Sequence, residues 1–142
     1  MTITMSEVSI TCRLYLRVNG LVLWRMPLRA QLSYVPRENP YAVCLTFLSY
    51  PDQDSWWIDR DAFSAAFTRH VGKGSVRLGP LPGGRSPHLV ISLRCADGEV
   101  NDLVVGAGRA LEFLAETFEL VPSGTESSAL EAGLDDFLGR AS

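Results

Sequence analysis

Long apolar runs are missing from this sequence. No stretch approaches the ~20 residues that a membrane-spanning helix needs, so membrane association is expected only through a partner. The N-terminus has no basic region followed by an apolar core, which argues against a signal peptide. Cysteine is scarce and scattered: Cys12, Cys44 and Cys95 lie far apart, with no Cys-x-x-Cys pair. An odd count of separated cysteines in apolar runs reads as reduced thiols inside a cytosolic protein. His70 and His88 are the only histidines, and neither has a second ligand at i+4, so a zinc site of ordinary spacing is excluded. There is no Gly-x-Ser-x-Gly elbow and no nucleophile with an assignable base, so a catalysed reaction has no residue support. Excess positive charge is also absent. The net charge is −3, which disfavours a general affinity for nucleic acid.

What is present describes a globular α+β domain. A chain of 142 residues with 46% hydrophobic content can bury a core without disulfides or metal. The acidity is local. Beyond Thr125 the chain carries Glu126, Glu131, Asp135 and Asp136 against Arg140, which leaves residues 1–125 neutral overall.

Val8 to Val18 alternates strictly, with Ile10, Cys12, Leu14 and Leu16 on one face and Arg13, Tyr15 and Arg17 on the other. That pattern predicts a strand in a sheet wet on one side. Asn19-Gly20 marks a turn, and the next run alternates from Val22 to Tyr34. A two-residue loop would place Leu14 beside Arg25 and send one apolar face into water. The parity therefore predicts a bulged turn or a longer loop with Gly20 left-handed, bringing Leu14 beside Trp24. Pro27 cannot donate to a ladder and predicts an edge, a bulge or a break.

Further strands are predicted over 41–50, which is apolar on both faces, and over 55–58, 75–78, 89–95 and 100–105, about seven in all. Asp59 or Asp61 is expected to cap a short helix carrying Phe63 and Phe67. A longer helix is predicted over 106–118, with a core stripe of Ala107, Leu111, Leu114 and Phe118 and with Ala110 and Phe113 alongside. Residues 122–142 read as a linker and an acidic C-terminal helix, capped by Ser127 or Ser128.

Three loops carry residue types that ligand sites use. Gly79 to Ser86 has phosphate-loop spacing, but Pro80 and Pro82 remove the amide donors a phosphate cradle needs. Gly72-Lys73-Gly74-Ser75 reads as a turn. The Asp52, Asp54, Asp59 and Asp61 cluster has tryptophans where a calcium loop needs ligands, and reads as a hairpin loop with helix caps.

Two surfaces remain. Arg13, Tyr15 and Arg17 share the wet strand face, with Arg29 as a possible neighbour; basic side chains interleaved with an aromatic suit single-stranded nucleic acid. The last helix carries Leu130, Leu134, Phe137 and Leu138 on one face, a candidate contact for a protein partner.

An ordered set of local motifs resembles a known family. Tyr34 precedes Asn39-Pro40-Tyr41-Ala42-Val43, and Trp56 precedes Arg60-Asp61. Gly72-x-Gly74-x-Val76-Arg77 and Pro80 follow, then Gly98-Glu99 and Arg109-Ala110-Leu111-x-Phe113-Leu114. Val121-Pro122-x-Gly124-Thr125-Glu126 completes the set. These blocks are similar to those of the SsgA-like proteins of filamentous actinobacteria, with the SsgB-like branch favoured. The chain departs from the pattern at Gly79, in residues 19–26 and at Ala62-Phe63.

The resemblance implies a whirly-like fold of two antiparallel sheets with helices at one end, and a homo-oligomer such as a trimer. It implies a non-enzymatic role in sporulation septation, without cofactor or small-molecule substrate. The implied setting is the cytoplasm at the division septum. The implied partners are the tubulin-like division GTPase FtsZ and other SsgA-like proteins.

Overall fold

The computed structural model describes residues 2–3, 7–49, 54–83 and 86–141, with side chains for 7–49, 54–83, 86–132 and 134. Its strands are β1 (Thr2–Ile3), β2 (Val8–Val18), β3 (Leu21–Val22), β4 (Leu28–Tyr34) and β5 (Ala42–Phe47). They continue as β6 (Ser55–Asp59), β7 (Val71–Lys73), β8 (Val76–Leu81), β9 (His88–Arg94) and β10 (Val100–Gly106). The helices are α1 (Arg60–Ala65), α2 (Ala107–Leu120) and α3 (Glu126–Ala141). Among the described residues no helix is long and apolar enough to cross a membrane.

The strands form one antiparallel sheet in the order β6-β5-β4-β2-β10-β9-β8-β7, with β1 and β3 also on β2. The expected pair of sheets is therefore replaced by a single one. The reason is the length of β2: eleven residues ladder with β4 along Val8–Leu14 and with β10 along Tyr15–Arg17. One strand thus joins what would otherwise be two sheets.

The first hairpin is a two-residue turn, with Asn19 at φ 50° and Gly20 at φ 81°. Positive φ at both central positions is the type I′ geometry that Asn-Gly favours. Arg17 pairs with Val22, even against odd. The chain then breaks over residues 23–27, where the Met26 amide donates to the Leu23 carbonyl (3.2 Å) and Pro27 has no amide to give. After the break Leu14 pairs with Leu28, even against even. The expected parity holds along β4, but the break at Pro27 supplies it, not a bulged turn. Leu14 meets Leu28 in place of Trp24, and Trp24 is left for the outer face.

Burial follows the pleat. Val8, Ile10, Cys12 and Leu14 meet Ala30, Leu32 and Tyr34 of β4, with Val43, Leu45 and Phe47 of β5 beyond them. The other half of the sheet adds Leu78, Leu89, Ile91, Leu93, Leu103 and Val105. Cys44 and Thr46 are half-buried, so β5 is covered fully on one face only. Cys12 is buried, Cys44 and Cys95 partly so, and all three are free thiols. Burial pushes the Cys12 thiol up to about 11, against the opposing charge of Arg109.

Helices close one end of this interior. α1 is capped by Asp59, whose carboxylate accepts from the Ala62 amide at 2.9 Å. Phe63 is fully buried and lies 6.4 Å from the Phe67 ring. α2 buries Ala107, Ala110, Phe113, Leu114 and Thr117. The stripe is rotated from the expected one: Leu111 is 56% exposed, and Thr117 takes the inward position with its hydroxyl donating to the Leu114 carbonyl. At the opposite end the interior opens as a cavity of about 370 Å³ lined by Leu16, Leu28, Phe47, Trp56, Leu93 and Leu103.

β7 was not expected. Val71–Lys73 pairs with β8 around Gly74, so the glycine-lysine-glycine segment is a hairpin and not a bare turn. Gly79-Pro80-Leu81 also joins β8, pairing with β9 through His88. The segment read as phosphate-loop spacing therefore begins inside a strand.

Candidate functional site

Arg60 organises the helical end of the molecule. Its side chain is 1% exposed at the start of α1. It donates to the Thr117 carbonyl (3.0 Å) and the Val121 carbonyl (2.8 Å), filling the acceptors left open where α2 ends. A third bond reaches Glu126 Oε1 at 2.8 Å. The guanidinium lies between two rings, 4.9 Å from the centroid of Tyr34 and 4.2 Å from that of Phe118. The planar fork suits this site, where donors must point at three acceptors in one plane and aromatic faces must cover the rest.

Tyr34 is held in turn by its hydroxyl, which donates to the Pro40 carbonyl at 2.8 Å. Burial pushes that hydroxyl up to about 12, with the Arg60 charge opposing and Glu126 adding to the rise. Asn39 accepts from the Tyr41 amide at 3.0 Å and shapes the turn into β5. The hydrogen bond from Arg60 comes first among the causes that hold the Glu126 carboxyl below its ordinary range.

This arrangement gives the sequence blocks a physical meaning. The Tyr34, Pro40, Arg60 and Glu126 motifs, far apart in the chain, meet at one buried site. The sequence shows Arg60 as a helix start and Glu126 as tail acidity, each within a family motif block, but nothing local pairs the two. Opposite charges in two well-separated blocks were the available signal.

The clamp also decides how α3 is held. The helix begins at Glu126, one residue ahead of the expected serine caps, with the Ala129 amide donating to the Thr125 carbonyl. Thr125 donates its hydroxyl to the Pro122 carbonyl at 2.6 Å. Ala129 packs against the core. Leu130 and Leu134 face away from it, at 42% and 56% exposure. Phe137 and Leu138 of the expected partner face lie outside the described side chains.

The wet face of β2 is divided by its neighbours. Arg17 pairs with Asp102 at 3.0 Å, and Ser92 donates to the same carboxylate at 2.6 Å. Partial burial raises the Asp102 carboxyl, but these two bonds outweigh it and hold the group low. Tyr15 is covered by Trp24 at 5.0 Å between ring centroids, and Trp24 continues onto His88 at 5.0 Å. Arg13 is exposed and stands opposite Arg29 across the β2–β4 ladder. The Arg13, Tyr15 and Arg17 trio is thus split, with one charge paired and the ring already in tilted contact with Trp24. This geometry gives the nucleic-acid reading no support.

Comparison with known proteins agrees with the motif set. Residues 28–126 match the family described as Streptomyces sporulation and cell division protein, SsgA. The sporulation-specific cell division protein SsgB of Thermobifida fusca (strain YX) is 32% identical over 127 residues, 89% of this chain and 91% of that protein. A structure from work on SsgB mutations that correlate with longitudinal cell division during sporulation of Streptomyces coelicolor is 28% identical. It superposes with a TM-score of 0.77 over 90% of this chain and 99% of its own. The crystal structure of an SsgA-like sporulation-specific cell division protein from Thermobifida fusca YX-ER1 is 26% identical, with a TM-score of 0.80 over the whole of both chains. These matches lead to one conclusion: the chain belongs to the SsgA family of sporulation-specific cell division proteins.

Proposed function

We propose that this protein is a non-enzymatic adaptor of sporulation septation. It acts in the cytoplasm at septum sites through protein surfaces, recruiting the tubulin-like division GTPase FtsZ and promoting its assembly there. It works as a homo-oligomer, with a trimer the simplest symmetric form, and meets other SsgA-like proteins. No cofactor or small-molecule substrate enters this role.

One observation carries the contact surface. α3 is anchored at its first turn by Arg60, yet presents Leu130 and Leu134 outward at i, i+4 spacing. An apolar pair on a fixed helix can enter a partner's groove without the cost of ordering the helix on binding. The test is light scattering of purified FtsZ with GTP, with and without this protein. The adaptor reading expects scattering to rise with the native chain and to fall back with Leu130→Ala/Leu134→Ala. An unchanged signal with the native chain would refute it.

A further inference from the structure

The outer face of the sheet carries a basic cleft that the reading above does not use. Arg13 on β2 and Arg29 on β4 are directly opposed in the antiparallel register. Like charges in that position repel and cost stability. Arg109, in the first turn of α2, lines the same cleft with Thr11, Gly106 and His88. The cleft has a volume of about 560 Å³. Arg109 is tied to the sheet by a 2.8 Å bond to the Thr11 carbonyl, which fixes one wall.

None of the three guanidiniums forms an ion pair among the described residues. The contrast with Arg17 is local and sharp: four positions along the same strand, that arginine has its carboxylate. Gly106 caps α2 without a side chain, so the positive end of the helix adds to the field in the cleft. Among the described residues no carboxylate neutralises these guanidiniums.

We propose that Arg13, Arg29 and Arg109 form a docking cleft for a carboxylate-rich segment of a protein partner. Arginine forks match carboxylates in paired hydrogen bonds, and three of them on two strands and a helix would hold two or three acidic side chains. Nucleic acid fits less well. A single strand needs a continuous basic track and free aromatic platforms. Here Asp102 interrupts the track, and the Tyr15 and Trp24 rings pack against each other at a tilt of 57°.

The inference rests on the reading that the protein works through protein contacts, but its test does not use division filaments. Decaglutamate is titrated into the full chain by calorimetry, with a decathymidine oligonucleotide and inorganic phosphate as the other arms. Decaglutamate should bind, more weakly as salt rises. Arg13→Ala/Arg29→Ala should lose about ten-fold or more in affinity, the effect of roughly one charge-assisted hydrogen bond, while its melting temperature does not fall, since the opposed charges are relieved. Arg69→Ala, a distant surface change, should leave binding intact. Absent decaglutamate binding at low salt overturns the proposal, as does equal binding by the double variant or an equal loss in Arg69→Ala. Tighter binding of the oligonucleotide overturns the choice of occupant.

Discussion

Arg60 Nη2 stands 2.8 Å from Glu126 Oε1, joining residues 66 positions apart in the sequence. Glu126 opens α3, and the carbonyls of Thr117 and Val121 at the end of α2 take two more bonds from the same side chain. One arginine therefore ends one helix and anchors the next.

Replacing Arg60 should be costly. Arg60→Ala removes the hydrogen bonds and ring contacts together and leaves buried acceptors unpaired, a loss of roughly 3–5 kcal/mol. Arg60→Lys keeps the charge but not the fork, and should fall between the two. Urea denaturation of the three chains measures this order.

Acid should loosen α3 first. The folded Glu126 carboxyl lies below its ordinary value of 4.5, so its contribution is present above about pH 4.5. It is lost as pH falls through the lower folded value, because the folded state must then take up a proton that the unfolded state has already bound. In Glu126→Gln that part of the acid-side decline should disappear. Melting temperatures of both chains from neutral pH to below 4 give the comparison; parallel curves would contradict the assignment.

Tyr34→Phe deletes one hydroxyl and strands the carbonyl of Pro40, a buried residue. A loss of about 1–3 kcal/mol is expected for a buried acceptor left without its donor. Chemical denaturation with an unchanged m-value would show that stability alone has moved.

Two glycines should respond differently to alanine. Gly72 has φ 120°, and an added Cβ would meet the Val76 backbone, which cannot yield without moving the β7–β8 hairpin. Strain of about 1–3 kcal/mol is expected there. At Gly79 the nearest atoms an added Cβ would meet belong to the His70 ring, which is exposed and can swing aside. Gly79→Ala should therefore cost less than Gly72→Ala, and His70→Ala should reduce the cost further. A double-mutant cycle between positions 70 and 79 reads that coupling.

Leu130→Ala/Leu134→Ala should change stability by no more than about 0.5 kcal/mol, since both side chains point into solvent. Truncation after Thr125 is a different experiment. It removes Glu126 and Ala129 as well, so its melting temperature should drop. A drop in the double variant as large as in the truncation would place both leucines in the fold.

Much of the fold was readable where a local rule acts alone. Alternation located β2 and its buried face, Asp59 was a cap, and Asn19-Gly20 was a turn. The departures came where a distant neighbour decided the outcome. Spacing puts Leu111 in the α2 core, but packing against the sheet leaves it exposed and buries Thr117. The two expected sheets became one because β2 could pair on both sides along different halves. Of the candidate site, the sequence grouped Leu130 and Leu134 on one helix face without saying what covers it, and both are exposed in the fold, while Arg17 is already paired with Asp102.

The sequence by itself determined the class of the protein. Apolar periodicity set an α+β domain, and the ordered motifs from Tyr34 to Glu126 set the family, because both are written in short-range spacing. Only the tertiary structure decided which charges are spent and which are free. Arg60 and Arg17 found carboxylates 66 and 85 positions away, whereas Arg13 and Arg29 were brought face to face by strand register. Pairing over such distances is set by how the chain closes on itself, and no local pattern encodes it.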